Sequence, residues 1–161
     1  MKSTKDILTK LGACTEAVKW AGRKTPKKAW ETCKRGDWLL WIASKLDIDR
    51  KKLVLAACAC ARTALKYVPV GEDRPRIAIE TAEAWTRGEA TIEQVRTAAY
   101  AASAAADAAY AAARAAYAAS AAAHAAAHAA ARKDIADIVR KIIPFSVICK
   151  AIADYEKGDM T

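Results

Sequence analysis

The segment from Ala98 to Ala131 constrains the fold more than any other part of the chain. It holds 25 alanines in 34 residues, with no glycine or proline. Its nine other residues, taken with Arg96 and Arg132, recur in steps of three or four that average 3.6 residues, the period of an α-helix. Because alanine has the highest helix propensity, the segment predicts one long helix over about 92–132, with its non-alanine side chains in a single stripe.

Helix start and stop signals divide the rest of the chain into further helices, and no segment shows the alternation typical of a strand. Thr91 and Gln94 form a capping-box pattern before the long helix. Asp134 is expected to cap a new helix after it, and Pro144 to break that helix. We predict a single all-α domain over 1–161, a bundle of about seven or eight helices around the long Ala-rich helix. Its parts are short helices within 4–45, a buried helix at 50–67, an Arg-Pro-Arg helix at 75–87, the Ala-rich helix at 92–132 and C-terminal helices within 134–156.

The chain is strongly basic, with 27 Lys and Arg against 18 Asp and Glu and a formal net charge of +9. This balance favours an anionic partner such as nucleic acid, a nucleotide or an acidic protein surface. A basic surface that merely aids solubility is an equally good interpretation. The five cysteines show no paired spacing, no signal peptide pattern is present, and no charge-free apolar run reaches membrane length. We therefore expect a reduced, soluble, cytoplasmic protein that does not contact membranes.

Charged residues share one face of the helix predicted at 75–87, where they follow each other in steps of four, three and four. They are Arg76, Glu80, Glu83 and Arg87. Such pairs on an exposed helix are commonly no more than a solvated face. A ligand site is the other interpretation, because Arg74 and Arg76 flank the helix start, where backbone N–H groups attract anions. Arg62, which lies in a run of small residues, would add a third guanidinium suited to phosphate or carboxylate.

The stripe of the Ala-rich helix is the second candidate site. Tyr100, Tyr110 and Tyr117 offer flat faces on which a base or a peptide could stack. Asp107 and Arg114 lie between them and could form hydrogen bonds with a polar ligand. The alternative is that the stripe is the solvent side of a bundle helix. The sequence leaves open whether the stripe faces solvent or a cavity.

Metal binding and catalysis find little support. His124 and His128 are spaced to share a zinc ion, but no third ligand follows in the next turn and no Glu lies between them. No Gly-rich phosphate loop, nucleophile elbow or paired Cys and His is visible. We therefore expect no metal, no cofactor and no enzymatic activity, with the two histidines left undecided.

Three segments of the chain resemble a family of immunity proteins, namely Leu55–Arg62, Arg74–Glu80 and Ala84–Thr91. The likeness extends over about 35–132 and is most specific in the Arg-Pro-Arg and Trp-Thr-Arg-Gly-Glu sequences. The family consists of Ala-rich, all-α proteins that accompany polymorphic toxins and occur in phage genomes. The resemblance implies a protein that binds and neutralises something without catalysis, and it supplies neither a ligand nor a site residue.

The sequence thus favours a non-enzymatic binding protein that acts in biological conflict. We rank sequestration of a small anionic ligand, such as a nucleotide immune signal in a phage anti-defence role, slightly ahead. Neutralisation of a toxin through a protein interface is the alternative, and an acidic toxin surface would suit the net charge of +9. A nucleic-acid-binding protein is a further alternative, although the scattered basic residues match no known motif. Alanine faces also allow close helix packing, so a homo-oligomer is compatible with each of these.

Overall fold

A computed structural model describes residues 3–103 and 121–158, with the backbone but not the side chains described for 121–131. These ranges contain nine α-helical segments, one short 3₁₀-helix and no strand, which confirms the all-α class and agrees well with the predicted helix count. The α-helices are α1 (Thr4–Lys10), α2 (Thr15–Ala21), α3 (Pro26–Thr32), α4 (Gly36–Lys45), α5 (Arg50–Arg62), α6 (Arg74–Arg87), α7 (92–103), α8 (Ala121–Ile142) and α9 (Phe145–Gly158), and the 3₁₀-helix is Leu65–Tyr67. None of the described helices is long and apolar enough to cross a membrane.

The chain divides into two compact units. The first unit comprises 1–53 and 132–161, and the second comprises 54–131. The prediction of a single domain over 1–161 stays a prediction. The charges divide unevenly, because the second unit holds seven Lys and Arg and seven Asp and Glu. The whole net charge of +9 therefore belongs to the first unit.

In the first unit, short helices begin at capping residues that the sequence signals predict. The Ser3 hydroxyl accepts a hydrogen bond from the backbone N–H of Asp6 in α1. The Thr25 hydroxyl accepts one from the backbone N–H of Lys28, and Pro26 occupies the first turn of α3. Apolar side chains from α1, α3, α4, α8 and α9 build the core of this unit. Among its most buried members are Ile7, Trp30, Leu39, Val139, Ile143 and Ile148.

The predicted helix start at Asp134 is wrong. Helix α8 continues through Arg132 and Lys133 to Ile142, so Asp134 lies inside a helix rather than at its start. The physical reason is that neither glycine nor proline occurs between 121 and 143 to interrupt the backbone hydrogen bonds. Pro144 is the first residue after α8 that lacks an N–H, and α9 begins directly after it, as predicted.

The second unit begins with the last turns of α5, where the structure corrects two expectations. The helix predicted to reach position 67 ends at Arg62, and a 3₁₀-helix follows it. The N–H of Thr63 bonds the carbonyl of Cys60 and the Thr63 hydroxyl donates to the same oxygen at 2.7 Å, which tightens the last turn. The helix is also not covered on all sides. Ala56 and Cys60 are buried on one side and Cys58 on the nearly opposite side, whereas Leu55, Ala57 and Ala61 are exposed.

Helix α7 opens at the predicted capping box. The backbone N–H of Thr91 donates to the Gln94 side chain at 2.7 Å, and the N–H of Gln94 donates to the Thr91 hydroxyl at 3.2 Å. The helix is described over 92–103. One continuous helix over 92–132 stays a prediction because positions 104–120 lie outside the described residues.

Candidate functional site

The candidate site is the charged face of α6 together with Arg62 of α5. Pro75 lies in the first turn of α6, and Gly88, with a φ of 81° that favours glycine, ends the helix. Ile79 and Thr86 are the buried residues of α6. They lie on a neighbouring face of the helix, about 90° around its axis from the charged residues. Helical periodicity therefore turns the charged residues towards solvent.

Arg62 and Glu83 form the best-defined contact of this face. The guanidinium donates from Nε to Oε1 at 2.8 Å and from Nη2 to Oε2 at 2.6 Å. The side chains are 42% and 21% exposed. The hydrogen bonds from Arg62 lower the pKa of Glu83, and burial opposes them. Arg62 was expected to present a free guanidinium to a ligand, and this contact engages the Nε–Nη2 edge of that group.

Arg76 is held by carboxylates on both sides along α6. Its Nη1 donates to the two carboxylate oxygens of Glu80 at 3.1 and 3.0 Å, and its Nη2 lies 3.0 Å from Oδ1 of Asp73. The three side chains are about half exposed. These are the i, i+3 and i, i+4 pairs that the sequence pattern suggests.

The two remaining arginines pair with residues of the adjoining loops. Arg74 bonds the Glu72 carboxylate through Nε at 2.7 Å and through Nη2, and these bonds lower the pKa of Glu72 to about 2. Arg87 donates from Nε to Glu89 at 2.8 Å. Each of the four arginines expected to contact a ligand that lie within the described residues thus has a carboxylate partner. An anionic ligand would have to compete with that carboxylate for the guanidinium.

Exposed apolar side chains accompany the charged residues in the second unit. The large apolar side chains that are exposed in the described part of the chain all belong to this unit. They are Leu55, Tyr67, Val70, Ile77, Ile92 and Tyr100. Ile77 follows Arg76 directly, and Tyr100 is 79% exposed. The sequence patterns did not single out Ile77 or Val70 as exposed. The position of Val70 beside Pro69, in a segment that breaks the helix, was a signal that this apolar residue would not be buried in a core.

The other residues of the predicted stripe have no described position. Asp107, Tyr110, Arg114 and Tyr117 lie outside the described residues, as do the side chains of His124 and His128. The stripe as a wall of a binding site stays a prediction. Within the part of the chain that the structure describes, no group of three His, Cys, Asp or Glu side chains could hold a metal ion.

A family model supplies the comparison that bears on function. The model described as "Imm-5 like putative immunity protein" matches residues 45–136, more than half of the chain. The chain belongs to this family. No curated protein and no solved structure matches it.

The segment of this immunity protein that the family model matches covers the second unit and only short parts of the first. It contains the whole of the second unit, 54–131, and with it α6 and the charged face. Helices α1, α2 and α3 and the whole of α9 lie outside it. The residues that carry the family resemblance are thus in the electrically neutral unit, and the positive charge is concentrated in the other one.

Proposed function

We propose that the protein is a non-enzymatic immunity protein that neutralises a toxin by binding it through the exposed face of the second unit. The family membership supports a role in biological conflict. One observation favours a protein partner: the arginines of α6 are already paired with carboxylates, and exposed apolar side chains lie in the same unit.

The chemistry of this face suits a protein better than a small anion. Arginine and aromatic residues are enriched in protein interfaces, and they supply most of the residues that dominate binding energy. Paired charges fix the register and orientation of a partner. The neutral second unit offers no net electrostatic attraction to a nucleotide, in contrast to what the total charge of +9 suggests.

Sequestration of a small anionic ligand, which the sequence ranked slightly ahead, remains the competing proposal for the same residues. It requires an anion to compete with Glu83 for Arg62 or with Glu80 for Arg76. The guanidinium would exchange one charge-assisted contact for another, and the displaced carboxylate would have to be solvated again. This exchange weakens the case for a nucleotide at α6.

Coexpression with each of a panel of polymorphic-toxin domains tests the proposal. We expect the two chains to elute as one complex in size-exclusion chromatography and the cells to survive toxin expression. Arg76→Glu and Ile77→Asp, each on the exposed side of α6, should abolish both the complex and the rescue. Lys157→Glu, an exposed substitution on α9, is the matched control and should leave both unchanged.

A calorimetric titration with cyclic dinucleotides and ADP-ribose separates the two readings. We expect no heat from either nucleotide. Tight nucleotide binding that Arg76→Glu abolishes, together with no toxin complex, would overturn the proposal in favour of small-ligand sequestration.

A further inference from the structure

A cavity of about 470 Å³ lies in the first unit, lined by residues of α1, α2, α3, α4 and α9 and of the loops between them. Its walls are almost entirely apolar, and four of the five tryptophans of the chain contribute to them. These are Trp20, Trp30, Trp38 and Trp41. Its volume falls within the range of small-molecule sites. No residue that lines the cavity lies within the segment that the family model matches, and none belongs to α6.

Trp30 supplies a polar group that has no partner. The residue is 4% exposed, and its indole Nε1–H is buried without a hydrogen-bond acceptor among the described residues. Buried donors without acceptors are rare, and each one calls for an explanation. Here the Nε1 atom is covered by protein atoms, so the Trp30 ring contributes an apolar wall to the cavity and not a hydrogen bond.

Arg140 of α8 holds the helix that carries Trp30. Its Nε donates to the backbone carbonyl of Trp30 at 2.8 Å, and its Nη2 donates to the carbonyl of Cys33. Both Trp30 and Cys33 line the cavity. This wall is therefore held in place before any ligand arrives, which lowers the entropic cost of binding.

A cation stands beside the aromatic wall. The Lys24 ammonium lies 4.3 Å from the centre of the Trp20 ring and donates to the Trp20 carbonyl, and no carboxylate among the described residues pairs with it. The acidic residue of the lining, Asp37, is already bound by Arg35 at 2.9 and 2.6 Å. The local charge next to the cavity is therefore positive, in the unit that carries the whole net charge of the chain.

We propose that this cavity binds a small aromatic molecule that carries an anionic group. Its rings pack among the indoles, and its negative charge lies towards Lys24. The site is independent of the α6 face, so this proposal stands or falls separately from toxin neutralisation.

Two fluorescent probes of nearly equal shape test the proposal on the full-length protein. Anilinonaphthalene sulfonate has the proposed chemistry, and phenylnaphthylamine is its neutral counterpart without the sulfonate. We expect the sulfonate probe to bind with a stoichiometry of one, to quench tryptophan emission by energy transfer, and to bind about tenfold more tightly than the neutral probe. Equal affinities for the two probes would overturn the anionic part of the proposal.

Variants of the lining locate the probe. Ala17 is buried in the wall of the cavity, and Ala17→Phe should fill the space and abolish binding. Lys24→Gln should weaken binding of the sulfonate probe but not of the neutral one. Lys19→Gln, an exposed residue of α2 that does not line the cavity, is the control. Unchanged binding in a folded Ala17→Phe variant would place the probe elsewhere, for instance on the exposed apolar residues of the second unit, and would overturn the proposal.

Thiol protection on the unaltered chain keeps the test decisive if Ala17→Phe fails to fold. Cys14 is exposed and lines the cavity, whereas Cys149 is exposed on α9 and does not line it. The sulfonate probe should slow alkylation of Cys14 and leave that of Cys149 unchanged. Equal rates at Cys14 with and without a saturating amount of probe would contradict the site.

Discussion

The guanidinium of Arg62 and the carboxylate of Glu83 meet edge to edge, with donor–acceptor distances of 2.8 and 2.6 Å. One turn earlier on each helix, the Cys58 thiol donates to the carbonyl of Ile79 at 3.8 Å. Both contacts advance by four residues along α5 and along α6, so the two helices run in the same direction where they touch. The pair therefore fixes the register of α6 on α5 as well as orienting the exposed arginine.

Removing the charge of Glu83 should lower stability in a pH-dependent way. We expect Glu83→Gln to reduce the free energy of unfolding at pH 7 by about 1 kcal/mol, the upper end for partly exposed ion pairs. The pKa of Glu83 is lowered in the folded protein, so the contribution is complete above the unfolded carboxyl pKa of about 4.3 and disappears as the pH falls through the folded value. Urea unfolding of both proteins between pH 7 and pH 3 measures this difference.

The matched control is Glu93→Gln, because Glu93 pairs with Arg96 at a longer distance of 3.4 Å and is strongly exposed. It should change stability by less than about 0.5 kcal/mol at any of these pH values. A loss for Glu83→Gln that stays constant down to pH 3 would mean that packing, and not charge, is what the substitution removes.

Local signals predicted several of the helix ends, and they did not predict the long-range contacts. The capping box of Thr91 and Gln94 and the break at Pro144 depend on neighbours within a few residues, so the sequence shows them directly. The partner of Arg62 is 21 positions away, and Arg140 reaches a carbonyl 110 positions away. No pattern in a single sequence records such contacts. They decide whether an arginine is available to a ligand, which is why the paired state of the α6 arginines came only from the structure.

Gly36 should not tolerate a side chain. A Cβ at this position would lie 2.1 Å from Cγ2 of Ile135 and 2.7 Å from the backbone nitrogen of Ala136. Backbone atoms of α8 cannot move aside as the tip of a side chain can, so overpacking costs should apply. We expect Gly36→Ala to lower the free energy of unfolding by about 3 kcal/mol, although alanine is the better helix former.

Urea denaturation followed by circular dichroism measures this loss. Gly158→Ala in the last turn of α9 is the control, since a Cβ there meets nothing within 4 Å. It should be neutral or stabilise by at most about 1 kcal/mol. If Gly36→Ala were as stable as the parent chain, the close approach of α4 to α8 would be incorrect.

Arg140 should contribute stability through the end of α3 and not through its ion pair. Its guanidinium bonds the carbonyls of Trp30 and Cys33, and it also lies 2.7 Å from Asp137. The last carbonyls of a helix have no partners within the helix, and a cation near them is favourable. Arg140→Met keeps the aliphatic stem and removes these donors, and we expect it to cost about 2–3 kcal/mol.

Comparison with Asp137→Asn separates the two contributions. Asp137 is exposed, so losing its charge should cost less than about 1 kcal/mol. Tryptophan emission follows the unfolding and reports the surroundings of Trp30 directly. Equal losses for Arg140→Met and Asp137→Asn would show that the ion pair is the important contact.

The five cysteines should react in two classes. Cys14 and Cys149 are exposed, and Cys33, Cys58 and Cys60 are buried. Burial raises the pKa of each of the three buried thiols, most directly at Cys60, where it is the sole cause. A raised pKa leaves less thiolate at pH 8, and the thiolate is the form that attacks an alkylating reagent.

Iodoacetamide should therefore modify Cys14 and Cys149 first, at least about tenfold faster than the other three. Peptide mass spectrometry over a time course at pH 8 measures the five rates, and the same reaction in guanidinium chloride should bring them together. Rapid native labelling of Cys33 would instead mean that the corner between α3 and α4 opens, and with it the wall of the cavity.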